Sequence, residues 1–140
     1  MLTGNLYLLT GFLLLMNAEG KITVVLVAED EILVRQLSVY ELEEAGYKVI
    51  EAATAKQALA VFEAGVPIDV LFTDVNMPGE IDGIGLVRLV HRRWPDVGLI
   101  VTSGQAAIAE DELPDDGRFI RKPYRLSKMS ELVGQVARSH

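Results

Sequence analysis

The chain has 140 residues, half of them apolar, with a net charge of −7 and no cysteine. That length suits one domain with a real core and leaves no room for a second module, and the apolar share excludes disorder. The acidic balance argues against non-specific nucleic-acid binding. The missing cysteines rule out disulfides and thiolate metal sites, and His91 and His140 alone cannot build a zinc centre, so any metal is a hard, oxygen-liganded ion such as Mg2+.

Met1 to Met16 is the one compositional break: leucine-rich, without a charged side chain, and with Leu2, Leu6, Leu9, Leu13 and Met16 at spacings of four and three that would line one side of a helix. It lacks the basic start and small-residue cleavage site of a signal peptide. As a helix it reaches about 24 Å, short of the roughly 30 Å of a bilayer core. The sequence divides into an apolar extension over 1–20, dispensable for the chemistry below, and a domain over 21–140. The sharper reading of the extension is an apolar helix that docks on its own domain or on a partner.

From Gly20 onward strand and helix alternate five times. Ile22–Ala28 is a β-branched run suited to a parallel strand buried on both faces. Ile32–Ala45 reads as a helix with Leu33, Leu37, Tyr40 and Leu42 inward, ended by Gly46. Tyr47–Ala53 is the second strand, and Thr54-Ala55-Lys56-Gln57 has the form of a capping box opening a helix with Ala58, Leu59 and Phe62 as its apolar stripe. Ile68–Thr73 is the third strand. Asp82-Gly83 precedes a helix whose Leu86, Val87, Val90 and Trp94 face the sheet before Pro95 stops it. Val97–Thr102 is the fourth strand, Gln105–Leu113 a weak acidic helix, Arg118–Arg121 the fifth strand, and Ser127 caps a last helix with Met129, Leu132, Val133 and Val136 inward. This alternation implies right-handed crossovers and a doubly wound parallel sheet.

Asp74 ends the third strand and enters the loop Val75-Asn76-Met77-Pro78-Gly79. Glu29-Asp30 follow the first strand, and Lys122-Pro123 follow the fifth. In an open α/β sheet, strand C-terminal ends are where ligands bind. Taken singly, Glu29 and Asp30 could be acids opening a helix, Asp74 a turn former and Lys122 a solvated base. Together, three acids and a lysine at one sheet edge suit a cation beside a nucleophile, an arrangement fitted to phosphoryl transfer to an aspartate. Thr102 ends the fourth strand, where its hydroxyl can meet a phosphoryl oxygen. Gly104 leaves the approach of water open. His91 reads as a surface residue and Trp94 as packing, and the glycines match no phosphate-binding loop.

Val27-Ala28-Glu29-Asp30-Glu31, Thr73-Asp74-Val75-Asn76-Met77-Pro78-Gly79, Val101-Thr102-Ser103-Gly104 and Phe119-Ile120-Arg121-Lys122-Pro123-Tyr124, in this order at strand ends, resemble the response-regulator receiver family of two-component signalling. The resemblance covers about residues 22 to 138. It implies a flavodoxin-like five-stranded parallel sheet in the order 2-1-3-4-5. By it Asp74 is the phosphoacceptor, Asp30 and Asp74 are direct Mg2+ ligands, Glu29 acts through water and Asn76 lends its carbonyl. Lys122 pairs with the phosphoryl group, Thr102 closes on it, and Phe119 is the aromatic switch. The family pattern has an aspartate more often than Glu29, a different loop at Glu80-Ile81, and a fuller helix than Gln105–Gly117, where part of its signalling face lies.

The resemblance implies a cytoplasmic, stand-alone phosphoacceptor, charged by a histidine kinase or histidine phosphotransfer protein and signalling to a downstream protein. It implies no enzymatic activity beyond its own phosphorylation and dephosphorylation, no nucleic-acid partner and no membrane span; homodimerisation stays open. Two other functions compete. One is a receiver-like interaction module that works without phosphorylation, against which the intact acids and Lys122 argue. The other is a small Mg2+-dependent phosphohydrolase, which usually needs a second acid where Asn76 stands.

Overall fold

The computed structural model describes residues 21–105, 112–114 and 116–139. The expected extension over 1–20, and most of the acidic helix expected over Gln105–Leu113, lie outside the described residues. The elements are β1 (Val24–Ala28), α1 (Ile32–Ala45), β2 (Lys48–Ala52), α2 (Ala55–Glu63), β3 (Val70–Asp74), α3 (Gly83–Arg93), β4 (Gly98–Ser103), β5 (Arg118–Arg121) and α4 (Leu126–Ser139).

The five strands are parallel in the order β2-β1-β3-β4-β5, as the resemblance implies. Every residue of β1, β3 and β4 is buried, which explains their continuous apolar runs; edge strands β2 and β5 are partly exposed. Alternate residues serve the two faces. Val25, Val27, Val70 and Phe72 pack with Leu42, Met129 and Val133 under α1 and α4. Leu26, Leu71, Leu99 and Val101 pack with Phe62, Leu86 and Val90 under α2 and α3. The chain leaves β1 outward to β2 and then returns to the other side of β1 as β3. That reversal opens a crevice between the C-terminal ends of β1 and β3, the switch point where such sheets bind ligands.

Helix ends follow local chemistry. Gly46 takes φ 105°, in the left-handed region, and its N–H donates to the carbonyls of Leu42 and Glu43. Thr54 Oγ1 accepts from Gln57 N at 3.0 Å, while Gln57 Oε1 accepts from Ala53 N at 2.8 Å, a capping box displaced by one residue on its return bond. Asp82 caps α3 by accepting from Gly85 N at 2.8 Å. Trp94 is a packing residue, its ring centroid 5.0 Å from that of Phe62.

Two expectations are corrected. Ser127 does not cap the last helix, because α4 already begins at Leu126 and Met129 N donates to the Arg125 carbonyl at 3.1 Å. In α1, only Leu42 of the four inward candidates is buried; Leu33, Leu37 and Tyr40 are 67%, 48% and 65% exposed. The helix turns Ser38 inward instead. A buried hydroxyl is tolerated there because Tyr124 OH lies 3.1 Å from Ser38 Oγ, which gives both groups a partner. The 33/37/40 stripe is as periodic as the 34/38/42 stripe, so spacing alone could not choose between them.

Candidate functional site

The register places the site residues at one edge. Ala28 pairs with Thr73, so Glu29 and Asp74 leave adjacent strands side by side, and Asp74 pairs in turn with Thr102. Backbone bonds lock this edge: Glu29 N donates to Ala52 O at 3.0 Å, Val75 N to Thr102 O at 2.9 Å and Lys122 N to Ser103 O at 2.9 Å. Oxygens of Glu29, Asp30 and Asp74 all lie within 4.8 Å of one another, with Glu29 and Asp74 buried and Asp30 open to solvent. Across 93 and 48 residues of chain, Lys122 Nζ donates to Glu29 Oε1 at 2.6 Å and to Asp74 Oδ2 at 2.7 Å. The Lys122–Pro123 peptide bond is cis.

Burial pushes the Glu29 carboxyl above its ordinary range, helped by the neighbouring Asp74 charge and opposed by the hydrogen bonds from Lys122 and Glu31 N. Burial works against the Lys122 ammonium, yet its hydrogen bonds to Asp74 and Glu29 win and hold its pKa above that of an ordinary lysine. Three clustered acids thus share one ammonium, which bonds two of them, Glu29 and Asp74. A divalent cation would offset the remaining repulsion, and oxygen donors of this kind suit Mg2+.

Thr102 Oγ1 is buried and has no hydrogen-bond partner among the described residues, a group that normally costs about 1–3 kcal/mol to leave unsatisfied. A tetrahedral oxyanion on Asp74 would supply the missing acceptor. Asp74 Oδ1 accepts from Asn76 N at 3.1 Å, which holds the acid against its loop, while the Asn76 residue itself is exposed. Phe119 pairs with Val101, one residue before Thr102, and packs half-buried on the α2 and α3 face. Asp69, the other acid of this strand run, accepts from Val24 N at 2.8 Å and lies at the strand's start, away from the site.

Three features around the site were not foreseen. Arg35 donates from Nη1 to the Glu29 carbonyl at 2.7 Å and from Nε to Glu51 at 3.1 Å, tying the acidic loop to β2. A cation one turn into the helix that follows an acid pair was the available signal. The Ser38–Tyr124 pair closes the floor of the site, and only the correct face of α1 could have revealed it. Gly83, the first residue of α3, approaches the Asp74 backbone so closely that a Cβ there would land on the Asp74 carbonyl oxygen. Its N–H donates to Val75 O at 2.9 Å. The Asp-Gly pair carries this signal, though it also serves as an ordinary helix start.

The profile described as Response regulator receiver domain matches residues 25–133. Sensor kinase CckA of Brucella abortus (strain 2308) is 39% identical over 124 residues, which cover 86% of this chain and 13% of that protein. Response regulator receiver protein CpdR of the same strain is 33% identical over 115 residues, covering 80% of this chain and 92% of that protein. The crystal structure of the receiver domain from hybrid histidine kinase CckA matches with a TM-score of 0.71 at 31% identity, over 81% of this chain and 98% of that one. The chain belongs to the response regulator receiver domain family of two-component systems. No helix among the described residues is long and apolar enough to cross a membrane.

Proposed function

We propose that residues 21–140 act as a cytoplasmic phosphoacceptor, with Asp74 taking a phosphoryl group from the phosphohistidine of a histidine kinase or phosphotransfer protein. The observation that carries this reading is the Lys122 ammonium bridging Glu29 and Asp74 beside the unpartnered Thr102 hydroxyl. An Asp74 carboxylate oxygen attacks phosphorus as the P–N bond to the donor imidazole breaks, and the electron pair stays on that nitrogen. Lys122 stabilises the charge gathering on the phosphoryl oxygens, and Thr102 Oγ1 donates to one of them. Glu29, Asp30, Asp74 and the Asn76 carbonyl would hold Mg2+, which spreads the same charge when bound. Phe119, on the strand beside Thr102, carries the change to the surface, and the output is a contact with a downstream protein.

Reversal follows the same geometry: water attacks phosphorus, the P–O bond to Asp74 breaks, and phosphate leaves. The domain thus acts only on itself.

Incubation with acetyl phosphate and Mg2+, followed by intact-protein mass spectrometry, tests the assignment. The expected product carries one base-labile phosphoryl group, and Asp74→Asn abolishes it because a neutral amide is a poor nucleophile. A mass increase that survives this substitution at full level would move the acceptor elsewhere.

A further inference from the structure

Arg35 meets the acidic loop at its backbone rather than at its carboxylates. Its Nη1 donates to the Glu29 carbonyl at 2.7 Å, and its Nε donates to Glu51 Oε1 of β2 at 3.1 Å. The Glu29 amide is fixed as well, donating to the Ala52 carbonyl at 3.0 Å. Both backbone polar groups of Glu29 are therefore held by groups tied to β2. The Glu29 carbonyl shares one rigid peptide plane with the Asp30 nitrogen, so its anchor sets the direction in which Asp30 leaves the strand.

Asp30 needs that anchor more than its neighbours do. The Glu29 carboxylate accepts from Lys122 Nζ and Glu31 N, and the Asp74 carboxylate accepts from Lys122 Nζ and Asn76 N. Asp30 is exposed, and among the described residues no hydrogen bond holds its side chain. Of the three acids whose oxygens gather within 4.8 Å, it alone depends on its backbone for its place.

Charge alone would not put an arginine here. A cation at the end of the first turn of α1 faces the positive pole of the helix dipole, and a cation beside a cation site opposes the metal. Lys122 already supplies the ammonium that pairs Glu29 and Asp74. What Arg35 adds is geometry: a planar fork of donors, 15% exposed and braced by a carboxylate of β2. We propose that Arg35 is a positioning residue for the metal site: braced by Glu51, it fixes the Glu29–Asp30 peptide and so keeps Asp30 in place beside Glu29 and Asp74. This rests on reading the edge as a Mg2+ site. Mg2+ demands a near-ideal octahedron with ligands at about 2.0–2.1 Å, so a wandering ligand costs it affinity, whereas Ca2+ accepts looser and more variable shells.

Mg2+ and Ca2+ titrations of the full chain, followed by the Asn76 amide shift, test it. Asn76 N donates to Asp74 and so reports on the acids without belonging to the Arg35 contact. Arg35→Met keeps the apolar stem and removes both the fork and the charge. It is expected to weaken Mg2+ about tenfold, the order lost when a group that orients metal ligands is removed, and Ca2+ by less than about threefold. Charge alone predicts the opposite sign, because removing a cation beside the site should tighten both metals. Arg35→Met combined with Glu51→Gln restores the local charge balance but not the tie, so it should bind Mg2+ as weakly as the single variant. A return to wild-type affinity in that pair overturns the proposal, as does Mg2+ binding in Arg35→Met at wild-type strength or tighter. Equal losses for the two metals overturn it too, since they would mark a collapsed site rather than a misdirected ligand. A wild-type chain with no metal-dependent shift is a different failure: the reading of the edge as a metal site falls, and the role of Arg35 falls with it.

Discussion

Lys122 Nζ lies 2.7 Å from Asp74 Oδ2, joining the exit of β5 to the end of β3 across the width of β4. The lysine side chain is 17% exposed and the aspartate 5%, so the pair is largely removed from solvent screening. Removing one member of a buried pair strands the other, and Glu29 loses the same partner. Lys122→Ala is therefore expected to lower unfolding stability without metal by about 1–3 kcal/mol, below the 3–5 kcal/mol of a sealed pair because Asp30 keeps the site open to water. Urea unfolding with and without Mg2+ checks this. The deficit should shrink with Mg2+, since a cation offsets the stranded acids, and an equal deficit in both buffers would show that Lys122 acts by packing alone.

Metal binding should raise stability through the folded state alone, because Glu29, Asp30 and Asp74 meet only when β1 and β3 are paired. With a dissociation constant on the order of 1 mM, 10 mM Mg2+ would add about 1.4 kcal/mol. Asp30→Asn should remove most of that gain while leaving the metal-free stability within about 0.5 kcal/mol, the usual range for an exposed position. Thermal melts across a Mg2+ series decide it. An undiminished gain in Asp30→Asn would remove this residue from the metal site.

Alkaline pH should unfold the domain partly through Tyr124. Burial pushes its phenol above the ordinary value, with the Ser38 hydrogen bond pulling the other way. An unfolded tyrosine titrates near pH 10, so above that the unfolded chain releases the proton first and binds fewer protons than the folded one. Stability is thus fully present below about pH 10 and falls as pH rises toward the folded-state value. Lys122, whose pKa is also raised, acts in the same direction. Tyr124→Phe should consequently flatten, without abolishing, the loss of stability between about pH 9 and 11. Unfolding midpoints at several pH values measure the slope, and an unchanged slope in the variant would clear Tyr124 of the effect.

The strands and the site edge were legible in the sequence because each signal there is local. Asp74 ends a buried β-branched run, Glu29-Asp30 end another, and Lys122 precedes a proline, so one rule about strand ends collects them. The face of α1 was not legible. Its burial depends on Tyr124, 86 residues away in sequence, providing a partner for Ser38, and no period within the helix carries that information. Arg35 escaped for a related reason, since its target is a backbone carbonyl that only the folded loop presents. Gly83 stood in plain sight as a helix start, while its approach to Asp74 belongs to the tertiary structure.

That approach makes Gly83 the sharpest test of how the loop from Val75 to Asp82 holds the acid. A Cβ at this position would land on the Asp74 carbonyl oxygen and lie 2.8 Å from Val75 Cα, both backbone atoms that cannot rotate away. Gly83→Ala must therefore shift either the first turn of α3 or the end of β3. Overpacking of this kind costs about 1–3 kcal/mol, partly offset by alanine's better helix propensity. The larger effect should fall on chemistry, because a displacement of about 1 Å at a reacting group can cost about a hundredfold in rate. Phosphorylation by acetyl phosphate should slow far more than stability falls, while Gly85→Ala is the control. The nearest atom to a Cβ at Gly85 is the Ile81 side chain at 3.0 Å, which can give way. Equal rates in Gly83→Ala and wild type would mean that the Asp74 carboxylate tolerates movement of its own backbone, and the close packing of α3 on β3 would then serve the fold alone.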